Sequence, residues 1–190
     1  LARIGDAARH MLEGVLKALV QETGHEAELL PLEEKVDRLS REVLVYVAKL
    51  PQDTPALPLL KAASELEHLA DLAKRALRKA ERLWTQGVTF SPEGKAELAR
   101  IVERTLARLE RALTALATGN RALAARVLAE YSEVLAEVEA SREAHFRRLR
   151  DRVETRASTL THLDLLLLLE ELNLGVNRLA RLVEEIHKEG

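Results

Sequence analysis

Apolar residues recur at three- and four-residue spacing along most of this chain, the signature of amphipathic helices and not of strands. Ile4, Ala8, Met11, Val15 and Ala18 form the seam of a first helix expected over residues 2–22. Thr23-Gly24-His25 stops it, because Gly24 can take the left-handed cap that other residues resist. Leu29, Leu32, Val36, Leu39, Val43, Val47 and Leu50 carry the pattern over residues 26–50, where Pro31 either kinks the helix or marks its true first turn. After Pro51-Gln52-Asp53-Thr54-Pro55, the stripe Ala63, Leu66, Ala70, Ala73 and Leu77 belongs to a third helix that ends near residue 84. Glu67 and Asp71 stand four apart beside this stripe, one turn above each other, where two carboxylates can grip one hard cation or bridge two.

The connector Thr85-Gln86-Gly87-Val88-Thr89-Phe90 divides the chain. Ser91-Pro92-Glu93 then supplies an N-cap followed by proline at the first helical position. A fourth helix runs to about residue 117, a long fifth over 121–154 and a sixth over 158–188. The two halves share a pattern. Thr23-Gly24-His25 corresponds to Thr118-Gly119-Asn120, and the same shift carries Leu32, Val36, Leu39 and Val43 onto Val127, Tyr131, Val134 and Val138. A longer slide places Leu66, Leu69 and Ala73 on Leu169, Leu172 and Val176, so the fifth helix or its junction carries an insertion. The first and fourth helices do not superpose cleanly. The expected fold is therefore all-α: two pseudo-repeated antiparallel three-helix bundles, residues 1–86 and 91–190, packed side by side as one domain.

Composition changes this picture mainly by exclusion. Aromatics are 3% of the chain, which suits long helices and not a β-rich fold. A formal charge of −2, with 32% charged residues, gives no general reason to expect nucleic acid or an anionic membrane as partner. The absence of cysteine removes disulfides, thiolate metal sites and cysteine nucleophiles. No apolar run approaches the roughly 20 residues that span a bilayer, and no Gly-rich phosphate loop, Ser-His-Asp set or nucleophile elbow is present. The helical pattern is already running at Ile4, which reads as a domain cut from a longer protein.

Helix 2 carries Glu33-Glu34-Lys35-Val36-Asp37 and helix 3 carries Glu67-His68-Leu69-Ala70-Asp71. With the duplicated three-helix layout, these acidic motifs make the chain resemble the PhoU family. Ser141-Arg142-Glu143-Ala144-His145-Phe146-Arg147-Arg148-Leu149-Arg150, followed by a Ser/Thr break and a leucine-rich last helix, looks more narrowly like the PhoU-like domain at the C-terminus of bacterial Na+/phosphate cotransporters. The resemblance implies a non-catalytic regulatory domain at the cytoplasmic face of a membrane, controlling phosphate uptake through contacts with the membrane part of its own transporter. A free-standing PhoU-type regulator of phosphate signalling is the close alternative. The resemblance further implies iron or zinc at Glu33, Asp37, Glu67 and Asp71. The second repeat departs from the motif, since Glu170 matches Glu67 but Leu128, Ser132 and Leu174 stand where the other acids would map.

Rival readings accompany each of these residues. The four carboxylates also suit a solvated acidic face, with Asp71 and Arg75 as an i,i+4 pair. Glu65-x-x-His68 and Glu184-x-x-His187 have the spacing of di-iron helical-bundle enzymes. Arg142, Arg147, Arg148, Arg150, Arg152 and Arg156 suggest phosphate or nucleic-acid contact, but acids interrupt the run and it reads first as a solvated basic face, or under the transporter reading as a strip facing lipid headgroups or the membrane part. His145 reads as a capping or packing residue. Residues 165–169, leucine on every side, call for burial all round in the bundle core, with a homodimer or transporter contact as the lesser alternative.

Overall fold

Seven helices and no strands are found among residues 1–22 and 26–188, the residues that the computed structural model describes. They are α1 (Ala2–Gln21), α2 (Glu26–Ala48), α3 (Leu57–Thr85), α4 (Pro92–Thr118), α5 (Arg121–Ala129), α6 (Tyr131–Arg150) and α7 (Arg156–Ile186). The expected caps account for several boundaries. Ser91 Oγ accepts from the Gly94 N–H at 3.1 Å with Pro92 following, and Asn120 Oδ1 accepts from the Leu123 N–H at 2.9 Å. Gly119 closes α4 at φ 69°, a left-handed conformation natural to glycine. The cap read at Gly24 lies outside the described residues, and α1 ends on Glu22 at φ 52°. Pro31 sits inside α2 without ending it.

The seams read from the pattern are the buried ones. Ile4, Ala8, Met11, Val15 and Ala18 are buried on α1, and Ala63, Leu66, Ala70, Ala73 and Leu77 on α3. Within the first half α1, α2 and α3 all touch one another; within the second, α4 and α7 pack against α5 and α6. The halves meet through α3 against α7 and α1 against α4. Four helices thus form the centre of the molecule, with α2 on one flank and α5–α6 on the other. Small residues make the central contact close. A Cβ built on Gly175 of α7 would lie 2.5 Å from Leu69 Cδ2 and 2.6 Å from Glu65 Oε1 of α3.

Three expectations change. The single fifth helix is two, interrupted at Glu130, whose carboxylate is held by Arg111 and Arg126. It also ends at Arg150 and not near residue 154. Arg152 turns left-handed at φ 59°, Thr155 caps α7, and Glu154 is drawn inward by buried partners described below. The leucine run is not buried all round: Leu165, Leu166 and Leu169 are in the core, whereas Leu167 is 54% exposed. A helix that packs on neighbours over only part of its circumference leaves one residue per turn facing water. The far end of α2 likewise extends beyond its neighbours, leaving Leu44, Val45 and Tyr46 exposed.

Candidate functional site

Two of the four acidic residues singled out on α2 and α3 are committed to lysine or arginine. Glu33 is engaged by Lys74 of α3, and Asp71 pairs with Arg75 one turn along at 2.8 Å. Glu67 is exposed and Asp37 half-buried. No three His, Asp or Glu side chains among the described residues are grouped so as to hold a metal ion. The structure therefore pairs Glu33 and Asp71 with cations, and does not bring the four carboxylates Glu33, Asp37, Glu67 and Asp71 together as a ligand set. The Glu-x-x-His pairs do not assemble either. Glu65 accepts two hydrogen bonds from Arg178 of α7, each 2.9 Å, and the His187 ring meets the Leu116 carbonyl at 2.6 Å.

The concentrated polar chemistry lies in the second half, where α4, α6 and α7 meet. The seam of α6 begins as Val134 and Val138 and continues as Ser141, His145 and Arg148, one further turn each. Opposite them α7 presents Ser158, Thr159 and His162, and α4 presents Glu97. Arg148 grips Glu97 with two parallel bonds of 2.8 and 2.9 Å, donates through Nε to Glu154 at 3.1 Å, and donates to His145 Nδ1 at 3.0 Å. A bidentate guanidinium–carboxylate pair of this kind is strong and directional.

The donors and acceptors in this cluster determine where the protons sit. His145 Nδ1 accepts from Arg148, so the imidazole is neutral and its Nε2–H donates to Thr159 Oγ1 at 3.2 Å. Thr159 in turn donates to the Thr155 carbonyl at 2.8 Å. Ser141 donates to Glu97 Oε2 at 3.1 Å, which leaves its oxygen to accept from His162 Nε2–H at 3.0 Å. The two imidazoles stack with centroids 4.1 Å apart, and Phe90 meets His162 edge-on. His162 Nδ1 is buried without a partner. Burial, then the neighbouring His145 and Arg148, push the His162 pKa down to about 3. Burial lowers that of His145 as well, against the pull of Glu154. For Glu154 burial acts upward, but hydrogen bonds from Ser91 and Ser158, with His145 and Arg148, outweigh it and hold the carboxyl below its ordinary range.

The solvated reading of the basic run thus fails at Arg148, while Arg147, Arg150, Arg152 and Arg156 are exposed as expected. His145 is a packing histidine inside a polar core. Glu97, Glu154 and His162 escaped notice because their partners lie on other helices. The available signal was the hydrophobic seam of α6 turning polar at Ser141, His145 and Arg148 with its spacing intact.

The second half has two further features. Arg108 of α4 is 1% exposed and bonds neutral groups: Asn173 Oδ1 at 2.7 Å, the Val127 carbonyl at 2.9 Å and Asn177 Oδ1. Burial lowers its pKa, against the attraction of Glu130. On the outer side of Glu97 and Ser141, a cavity of about 290 Å³ opens between α4 and α6, walled also by Arg100, Glu137 and Arg147. Each buried hydroxyl of the cluster bonds another of its groups, and His162 Nδ1 is left without a partner.

Comparison with known proteins places this geometry. Residues 1–80 match the family model described as PhoU domain. The fold overlays PhoU from Pseudomonas aeruginosa with a TM-score of 0.85 at 20% identity, covering 97% of this chain and 92% of that one. A PhoU-like protein from Shewanella oneidensis MR-1 overlays with a TM-score of 0.74 at 14% identity, covering 97% and 93%. In sequence, a Salmonella typhimurium protein named "Putative inorganic phosphate export protein YjbB" is 29% identical over 133 residues, and its Escherichia coli K12 counterpart is 27% identical. The match takes in 66% of this chain and 24% of the Salmonella protein, so the chain spans about a quarter of these curated relatives.

Proposed function

Because this chain is a PhoU-like helical domain, we propose that it is a regulator of phosphate handling that acts by binding and not by chemistry. The match of residues 1–80 to the PhoU domain model carries this reading, in a chain whose fold follows PhoU over nearly its whole length. Helix surfaces would contact membrane-bound or signalling components of phosphate uptake at the cytoplasmic face. Among the described residues no helix is long and apolar enough to cross a membrane. The reading is tested by expressing the chain in a bacterium that lacks its own PhoU-type regulator and carries a phosphate-starvation reporter. Restored repression of the reporter in high phosphate is expected. A folded, expressed protein that leaves the reporter fully induced overturns the proposal.

A second reading attaches the domain to a phosphate-moving membrane protein, whether an exporter or a sodium/phosphate cotransporter. The alignment with the much longer YjbB proteins favours it. Radiolabelled phosphate flux, with and without the domain fused to its membrane part, separates the two. Iron or zinc at Glu33, Asp37, Glu67 and Asp71 would have to displace Lys74 from Glu33 and Arg75 from Asp71. Elemental analysis of untagged protein beside a Glu67→Ala/Asp71→Ala control tests that metal.

A further inference from the structure

We propose that the cleft between α4 and α6 is an anion site for a compact tetrahedral oxyanion, inorganic phosphate, with Arg100 and Arg147 as its cationic arms. The cavity is about 290 Å³. A cavity of this size has ample room for a small oxyanion with accompanying waters.

The anion would be held by the two lining arginines that make no ion pair, while the two lining acids contact arginines outside the cleft. Each of the cleft's two carboxylates is contacted by an arginine that it shares with a second acid, Glu97 with Glu154 on Arg148 and Glu137 with Glu133 on Arg104. Glu97 is held by Arg148 through two bonds of 2.8 and 2.9 Å, and Glu137 lies 2.8 Å from Arg104 Nε. Arg100 on α4 and Arg147 on α6 also line the cleft, from its two walls. Neither has an ion-pair partner among the described residues. Two guanidinium groups without an ion-pair partner among the described residues therefore line a space whose acids already contact other arginines. Guanidinium forks are well matched to phosphate oxygens.

The floor supplies a third donor. Ser141 is 3% exposed and lines the cleft from below. Its hydroxyl proton presently goes to Glu97, and its oxygen is held by His162 Nε2. Glu97 keeps both Arg148 bonds if Ser141 turns that proton outward to a bound anion. Occupancy of the cleft would then be felt by the stacked histidines beneath it, a route from ligand to the packing of α6 on α7.

The choice of phosphate over other oxyanions rests on the regulatory reading above; the site itself rests on the cleft. The test is calorimetric titration of the purified protein with inorganic phosphate, against chloride at matched ionic strength, with the His162 ring followed by NMR. Saturable binding and a shifted His162 resonance are expected. Arg100→Gln and Arg147→Gln should each weaken binding about tenfold, whereas Arg41→Gln on α2, in the other half of the molecule, should not. Both arginines are exposed, and unchanged melting without phosphate verifies that the variants fold. Absence of saturable binding, or equal binding by the Arg100→Gln/Arg147→Gln double variant, overturns the site. A headgroup phosphomonoester shares this chemistry, so vesicles containing phosphatidic acid form a second arm. Binding to vesicles without binding to free phosphate also overturns the proposal. The reporter experiment does not measure ligand binding, so failure here is distinct from failure of the regulatory role.

Discussion

His162 should make this protein acid-sensitive in a way that one substitution removes. Its imidazole is wholly buried, stacked on His145 near the Arg148 guanidinium, and its free nitrogen has no acceptor. The folded-state pKa of about 3 lies far below the ordinary 6.5. The unfolded chain therefore takes up the proton first. Stability that is present at neutral pH is lost as pH falls from about 6.5 toward 3. At about pH 5 the unfolded state is favoured by a factor of about 30 from this residue alone, or about 2 kcal/mol. His145 and Glu154, both also lowered, act in the same direction, so total acid sensitivity does not isolate His162. His162→Gln does, because glutamine retains an N–H for Ser141 and cannot titrate. Urea unfolding of both proteins at about pH 7 and about pH 5, followed by circular dichroism and by the fluorescence of the single Trp84, should show the native protein losing about 2 kcal/mol more than the variant. Parallel losses in the two proteins would refute the argument, whatever the absolute cost of the substitution.

Other perturbations address the packing of the two halves and the buried charges. Arg148→Met leaves Glu97 and Glu154 buried without their shared cation, and should cost about 3–5 kcal/mol in denaturant unfolding. The loss should shrink in Arg148→Met/Glu97→Gln if the stranded carboxylate is its cause. Gly175→Ala drives a methyl into Leu69 and Glu65 at the α3–α7 contact. A melting experiment should show a net loss, because overpacking of about 1–3 kcal/mol exceeds the roughly 1 kcal/mol by which alanine favours a helix. Arg108→Met strands the side-chain oxygens of Asn173 and Asn177, and should destabilise by about 2–3 kcal/mol in the same assay. Asp71→Asn breaks only an exposed pair within α3 and should change unfolding by less than about 1 kcal/mol.

Local pattern determined the helical class, the seams of α1 and α3, the cap at Ser91 and the break at Gly119, because each depends on neighbours within one or two turns. The Asp71–Arg75 pair was legible for the same reason. What the chain could not show alone was which charges meet across helices. Glu33 finds Lys74, Glu65 finds Arg178, and Glu97 finds Arg148 over separations of 41, 113 and 51 residues. Those encounters decide that Glu33 and Glu65 are held by cations from other helices, and that Arg148 belongs to a buried network and not to a solvated strip. The termination of α6 also had no local cause strong enough to read, since Glu154 is pulled out of helical register by Arg148 and by Ser158 of the following helix. Periodicity reports which face of a helix is turned inward; only packing reports what that face encounters.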